Sequence, residues 1–244
     1  MKRLFWILSI VTIAGCMDTA GEMAIDFNET GVGGSTARFS IAGDFLYVVN
    51  DSELQAIDIS DERNPKHASS TSLGWGIETI FGYDGMLFIG GQTGMQIYGI
   101  QEDGSPVYVS DYTHSTACDP VIANDQYAYV TIRSGEFCNN IMEVNNLLVL
   151  DISNIRSPQL VAEIPMTNPR GLAFFKGDLF VGEGQFGLVR FSLEDPSFPR
   201  QKEVYDIPAN DMIPLDNTLI ITRDEGIFQF GCEEDELLLY SPLR

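Results

Sequence analysis

Few residues in this 244-residue chain have the types and neighbours that chemistry needs. Histidine occurs only at His67 and His114. His114 stands between Asp111 and Asp119 and is the sole candidate base, since a nearby carboxylate can orient an imidazole for proton transfer. His67 lies among small polar residues and reads as a surface side chain. No serine or cysteine motif of the nucleophile-elbow kind accompanies either histidine. No spacing of His, Cys and carboxylates fits zinc, and no Asp-rich loop fits calcium. The glycines at 31–34 and 90–91 do not open helices, so they make no phosphate cradle. Glu233-Glu234-Asp235-Glu236 reads as a solvated turn rather than a cation site. The sequence therefore calls for no metal and no cofactor, and it nominates no catalytic residue.

The elements that would position any site come from a repeat. Five segments share an apolar triplet: Leu46-Tyr47-Val48, Leu87-Phe88-Ile89, Ala128-Tyr129-Val130, Leu179-Phe180-Val181 and Leu219-Ile220-Ile221. Their middle residues are spaced 41, 41, 51 and 40 apart. A second apolar slot follows each triplet and ends at Ile59, Ile100, Ile152, Leu193 and Cys232, spaced 41, 52, 41 and 39. Both series place one insertion of about ten residues in the third unit. Four units close on a proline: Pro65, Pro106, Pro158 and Pro199. Turn pairs such as Gly43-Asp44, Asp84-Gly85 and Gly177-Asp178 precede the triplets. Asp58-Ile59-Ser60-Asp61 and Asp151-Ile152-Ser153-Asn154 put short acceptors where they can cap the turn before proline. Each unit reads as four short antiparallel strands, and no segment shows a helical period. The expected fold is all-β, a β-propeller of four-stranded antiparallel blades. Five repeats predict a five-bladed ring, with residues 24–30 available to complete the last blade.

Such a ring sorts residues by face. With strands A to D running outward, the B–C turns and D–A links share one rim, and loops on a rigid scaffold are where ligands bind. Trp75, His114, Arg133, Arg170 and Arg223 all fall on that rim and form the candidate ligand set. The entrances of the A strands add a mixed ring of Arg38, Glu78, Asp119, Arg170 and Asp211. Arginines gathered on one face of an acidic chain would receive a carboxylate, a uronic or sulfated glycan or an acidic loop, with Trp75 as a stacking surface. The competing reading pairs each with a neighbouring acid, Arg223 with Asp224 and Arg133 with Glu136.

Cys118 in a D–A link and Cys138 in the inserted B–C turn fall on the same rim of one blade. An exported chain would join them as a disulfide; two free thiols or a metal pair are the alternatives. Cys232 occupies a slot held elsewhere by Ile or Leu, so it reads as a free thiol acting as a small core hydrophobe.

Ile57-Asp58-Ile59-Ser60 with Pro65, and Leu148-Val149-Leu150-Asp151-Ile152-Ser153 with Pro158, resemble the LVIVD repeat of bacterial propeller proteins. The resemblance extends over about residues 35–240, fading in the fifth unit, which lacks the closing proline. It implies a propeller in a cell-surface setting and supplies no reaction and no catalytic residues.

The N-terminus gives an address. Met1-Lys2-Arg3 precedes a mostly apolar stretch from Leu4 to Ile13, too short to span a bilayer and suited to a secretory signal. Ile13-Ala14-Gly15-Cys16 resembles the lipobox of bacterial lipoproteins, which implies a lipidated (palmitate-bearing) Cys16; an ordinary signal peptide is the alternative. The expected organisation is a signal peptide over 1–15, a lipid-anchored tether over 16–34 and a propeller over 35–244. The expected place is the bacterial cell envelope, lipid-anchored at the outer membrane or cell surface.

With 14 basic against 35 acidic residues and a net charge of −21, the chain is a poor partner for nucleic acid. A 44% hydrophobic composition fits a folded domain. Two functions remain. One is a non-catalytic surface propeller, held to the membrane through its N-terminal lipid, whose rim binds a protein or glycan. The other is an extracytoplasmic hydrolase or lyase with its site at the mouth of the propeller channel.

Overall fold

The computed structural model describes residues 33–114, 120–133, 144–233 and 236–243. Twenty strands form five antiparallel sheets of four, each in sequence order, with no helix among the described residues. Blade 1 holds β1 (Phe39–Ala42), β2 (Phe45–Val49), β3 (Glu53–Asp58) and β4 (Lys66–Ser72). Blade 2 holds β5 (Ile77–Tyr83), β6 (Met86–Gly91), β7 (Gly94–Ile100) and β8 (Pro106–Thr113). Blade 3 holds β9 (Val121–Ala123), β10 (Tyr127–Ile132), β11 (Asn146–Asp151) and β12 (Gln159–Pro165). Blade 4 holds β13 (Leu172–Phe175), β14 (Asp178–Gly182), β15 (Leu188–Ser192) and β16 (Arg200–Tyr205). Blade 5 holds β17 (Asp211–Pro214), β18 (Thr218–Arg223), β19 (Gly226–Glu233) and β20 (Glu236–Leu243). The first strands of successive blades lie against one another, so they line the axis. The fold is a five-bladed propeller.

Strand alternation explains how the blades stack. Successive side chains point to opposite faces, so the middle residue of each triplet points one way and its neighbours the other. Tyr47, Phe88, Tyr129 and Phe180 each enter a core completed by the first and third triplet residues of the next blade. Phe88, for example, packs with Ala128 and Val130, and Phe180 with Leu219 and Ile221. All four middle residues are at most 1% exposed. The tyrosines also carry a polar function. Tyr47 Oη donates to the Gly104 carbonyl at 2.9 Å, and Tyr129 Oη to the Pro196 carbonyl at 2.8 Å. Each hydroxyl thus reaches the outer turn of the following blade and ties two blades together. Burial holds both phenols well above their usual range.

The outer turns form as their sequence dictates. Ser60 N donates to Asp58 Oδ1 at 2.9 Å and Ser153 N to Asp151 Oδ1 at 2.8 Å. Asp103 and Asp195 accept from Ser105 N and Ser197 N in the same way. The hydroxyl and backbone N–H of the serine in each turn together hold the Asp58, Asp103, Asp151 and Asp195 carboxyls below their usual range. The third and fourth strands of every blade share a register shift, at Ala56/Ile57, Ile97/Tyr98, Val149/Leu150, Arg190/Phe191 and Gln229/Phe230. A bulge at that point increases the local twist and lets the outer strand splay.

Two expectations change here. Blade 5 takes all four strands from residues 211–243, so its completion needs nothing from 24–30, which lie outside the described residues. The junction of blade 5 with blade 1 also differs from the others. Among the described residues no apolar core joins these two blades, and Ile220, Leu46 and Val48, which the repeat aims at one another, are only half-buried. A polar clasp sits there instead. Thr36 Oγ1 donates to Asp211 Oδ2 at 2.5 Å and Ser35 Oγ to Asp211 Oδ1 at 3.2 Å. Ser35 Oγ also accepts from Leu172 N at 2.6 Å, so the incoming chain is fastened to blades 4 and 5 together.

The interblade tyrosine bond gives a direct test. Tyr129→Phe keeps the ring but leaves the Pro196 carbonyl without its donor, and should cost about 1 kcal/mol in urea unfolding. Tyr129→Ala, which also opens a cavity, should cost about 3–5 kcal/mol.

Candidate functional site at the axial mouth

The rim that carries the B–C turns and D–A links opens onto a cavity of about 340 Å³ at the axis. Every blade contributes: Arg38 from the first, Glu78 from the second, Arg133 from the third, Arg170 from the fourth and Asp211 from the fifth. Hydroxyls of Thr36, Thr79 and Thr222 line the same cavity. A larger cavity of about 660 Å³ lies on the opposite rim, lined within blade 4 by residues such as Asp178, Ser192 and Lys202. Its Asp178 is already committed. Asp178 Oδ2 accepts from the buried Arg190 Nε at 2.6 Å and from Lys202 Nζ at 3.3 Å, while Arg190 also stacks over Phe180. That cluster braces one blade, whereas the axial mouth is built from all five.

Arg170 is the most firmly held member of the mouth. Its backbone N–H donates to the Gly182 carbonyl at 2.8 Å, and its own carbonyl accepts from Thr131 Oγ1 at 2.5 Å. The buried Glu183 carboxylate accepts from Thr167 N and Asn168 N at 2.5 and 3.2 Å, fixing the loop just ahead. Arg170 Nη1 donates to Asn210 Oδ1 at 2.8 Å, and Asn210 Nδ2 in turn donates to Asp224 Oδ1 at 2.8 Å. Arg170 Nε is buried and has no hydrogen-bond partner.

The remaining charges fall into three kinds. Arg38 pairs with Asp51 at 3.0 Å on an exposed surface, a weak bridge in water. Glu78 accepts from Gln92 Nε2 at 3.3 Å, and burial pushes its carboxyl up while Arg38 and Arg133 pull it back. Arg133 is held below the usual arginine range by burial and then by its like-charged neighbour Arg170, with Glu78 opposing. It nonetheless stays cationic, because guanidinium ionises far above neutral pH. Among the described residues neither Arg133 nor Arg170 forms an ion pair.

Asp211 plays a different part from a ligand contact. Its two oxygens are taken by Ser35 and Thr36, and the backbone of Gly34 and Gly171 packs so closely on its carboxylate that a Cβ at either position would collide with it. Only glycine allows that approach.

The five rim residues expected from the sequence separate in space. Arg133 and Arg170 meet at the mouth. Trp75, in the link between β4 and β5, is 87% exposed and free to stack, but it does not line the cavity. His114 follows β8 and faces the Tyr112 ring at 6.4 Å. Arg223 ends β18 with its guanidinium 3.7 Å from the Phe228 ring, while the neighbouring Asp224 takes Asn210 instead. Of the A-strand ring, Arg38, Glu78, Arg170 and Asp211 line the mouth; Asp119 lies outside the described residues, next to the lining Pro120. Cys16, Cys118 and Cys138 also lie outside them. Cys232 is free and half-buried against the core between blades 4 and 5. Among the described residues no three of His, Cys, Asp and Glu gather as a metal site.

Residues 33–71 and 141–164 match the LVIVD repeat. The chain thus carries LVIVD repeats on a propeller fold. Its backbone is similar to a protein from Lactobacillus plantarum, at 14% identity and a TM-score of 0.65, over 82% of this chain and 68% of that one. It is similar to the periplasmic gluconolactonase PpgL of Pseudomonas aeruginosa, at 12% identity and a TM-score of 0.62, over 83% and 67%. It is similar to apo AztD of Citrobacter koseri, at 14% identity and a TM-score of 0.56, over 83% and 60%. None of the curated proteins matches the sequence. The chain thus spans about two thirds of the first two of these chains, and at these identities the likeness is one of fold.

The clasp predicts a pH signature. Burial pushes the Asp211 carboxyl up, and its bonds to Thr36 and Ser35 only partly offset this. Folding therefore favours the protonated acid, and the associated stability is present below the unfolded-state value and lost as pH rises through the raised folded value. Asp211→Asn cannot titrate. The melting temperature of the native protein relative to Asp211→Asn should be highest near about pH 4 and fall as pH rises towards neutrality. A difference that stays constant with pH would show that the buried carboxylate carries no such penalty.

Proposed function

We propose that this LVIVD propeller is a non-catalytic binding module of the bacterial envelope, anchored through Cys16, that engages a protein or glycan partner by its mouth-bearing rim. The observation that carries the reading is the convergence of Arg133 and Arg170 from different blades on one axial cavity without a carboxylate partner among the described residues. On a chain of net charge −21, that is a local cationic point fitted to an acidic group. Exposed Trp75 on the same rim adds an aromatic face for a sugar or an apolar side chain. The envelope setting is supported by the basic start, apolar stretch and small residues that meet at Cys16, and by the fold shared with a periplasmic gluconolactonase.

That same likeness, with Glu78 pushed up by burial beside two arginines, favours one second reading: a hydrolase or lyase working at the mouth. A divalent ion that copurifies with the protein and is required for turnover of a lactone or glycan would favour it.

The binding reading is checked by capture from native envelope extract. Arg170→Ala with Trp75→Ala should abolish capture of the partner while the protein still unfolds cooperatively, its melting temperature lowered only by the loss of the Arg170–Asn210 bond. Unimpaired capture by the double variant would move the surface off this rim. The anchor has its own check: Cys16→Ser should leave an unlipidated precursor, and a mature-size, lipid-labelled species from that variant would refute it.

A further inference from the structure

The axial mouth specifies its ligand more closely than its charge alone suggests. One of its acids and one of its bases are already engaged. Asp211 spends both oxygens on Ser35 and Thr36, and Asp51 neutralises Arg38. Among the described residues Arg133 and Arg170 then face the cavity without an ion pair, with Glu78 beside them. Arg170 also holds a buried Nε–H with no hydrogen-bond partner, packed beside Gly184. Two guanidiniums brought to one cavity from separate blades offer several N–H donors, which suits the two oxygens of a carboxylate.

The rest of the lining mixes polar side chains with Pro120 and Pro169. Thr36 and Thr222 give their hydroxyl protons to Asp211 and keep oxygen lone pairs that can accept, and the Glu78 carboxyl can accept from a hydroxyl as well. At about 340 Å³ the cavity lies at the small end of sites for organic ligands, which span roughly 300–1,000 Å³. It therefore has room for one ring and little more. We propose that the mouth binds a hydroxylated carboxylate of monosaccharide size, a sugar acid, with the carboxylate across Arg133 and Arg170 and the ring hydroxyls on Glu78 and the threonines. The assignment rests on the binding reading above and gives it a chemical class: a free sugar acid or the acidic terminal sugar of a glycan.

Isothermal titration of the purified protein with D-galacturonate, D-galactose, glycine and inorganic phosphate tests it. Galacturonate should bind, with galactose, glycine and phosphate each at least about tenfold weaker, since each lacks the carboxylate or the hydroxyls. Arg133→Gln should weaken galacturonate by at least about tenfold, the order of one charge-assisted contact. Should that variant melt early, Arg133→Lys takes its place, keeping the charge but losing the fork, and it should bind galacturonate less tightly than the native protein. Equal binding of galactose would show that the carboxylate is not read, and equal binding of phosphate that any anion suffices; either overturns the proposal. No heat with galacturonate while envelope capture persists rejects the sugar-acid class and spares the binding reading. Loss of both rejects the reading itself.

Discussion

The structure depends on one packing event repeated from blade to blade: an aromatic ring at the centre of an inner strand pressed onto the two aliphatic residues at the equivalent place in the next sheet. Tyr47, Phe88, Tyr129 and Phe180 make that contact four times. Large rings bury much apolar area per residue, so each contact supplies most of the cohesion between two otherwise separate sheets. It also fixes the angle between blades. Only because that angle recurs do five residues from five blades arrive at a common axis. The mouth is therefore a product of core packing, and a substitution deep between blades would shift the arginines without touching them.

Most of this was legible in the chain because it is periodic. The triplets, the second apolar slots and the prolines gave the strand order and the blade count, and the phase of each residue within its repeat placed Arg38, Glu78, Arg170 and Asp211 at the strand entrances. Phase cannot show how far a side chain reaches towards the axis. That is why Trp75, His114 and Arg223 share the rim yet stay outside the cavity, Arg223 having turned back onto Phe228. Contacts that link one repeat to another with no counterpart elsewhere were also invisible. Ser35 and Thr36 meet Asp211 across about 175 residues, and no local pattern marks them. The buried Arg190–Asp178 pair is similar: a charged residue in a core strand becomes acceptable only when its partner two strands' length away is known. The register shift in each outer strand pair left no residue signature that stands out from the apolar slot around it.

Electrostatics act on two length scales. The net charge of −21 repels an anion at a distance, while Arg133 and Arg170 attract it once inside. With screening over about 8 Å at physiological salt, the long-range repulsion is damped more than the contact attraction in a partly buried site. Raising ionic strength from a very low value should thus ease the approach of an acidic ligand before it begins to weaken the bound state. The bulk charge then serves solubility rather than recognition.

The polar clasp has a mechanical meaning. Four junctions of the ring are dry and aromatic, and the fifth, where the incoming chain meets Asp211, is closed by hydroxyl donors that water can replace bond for bond. A tensile load entering along the N-terminal segment passes through Ser35 and Thr36 before it reaches any blade. The clasp would yield first and the four dry junctions would hold, so the ring would part at its seam like a bracelet at its catch, leaving each blade whole.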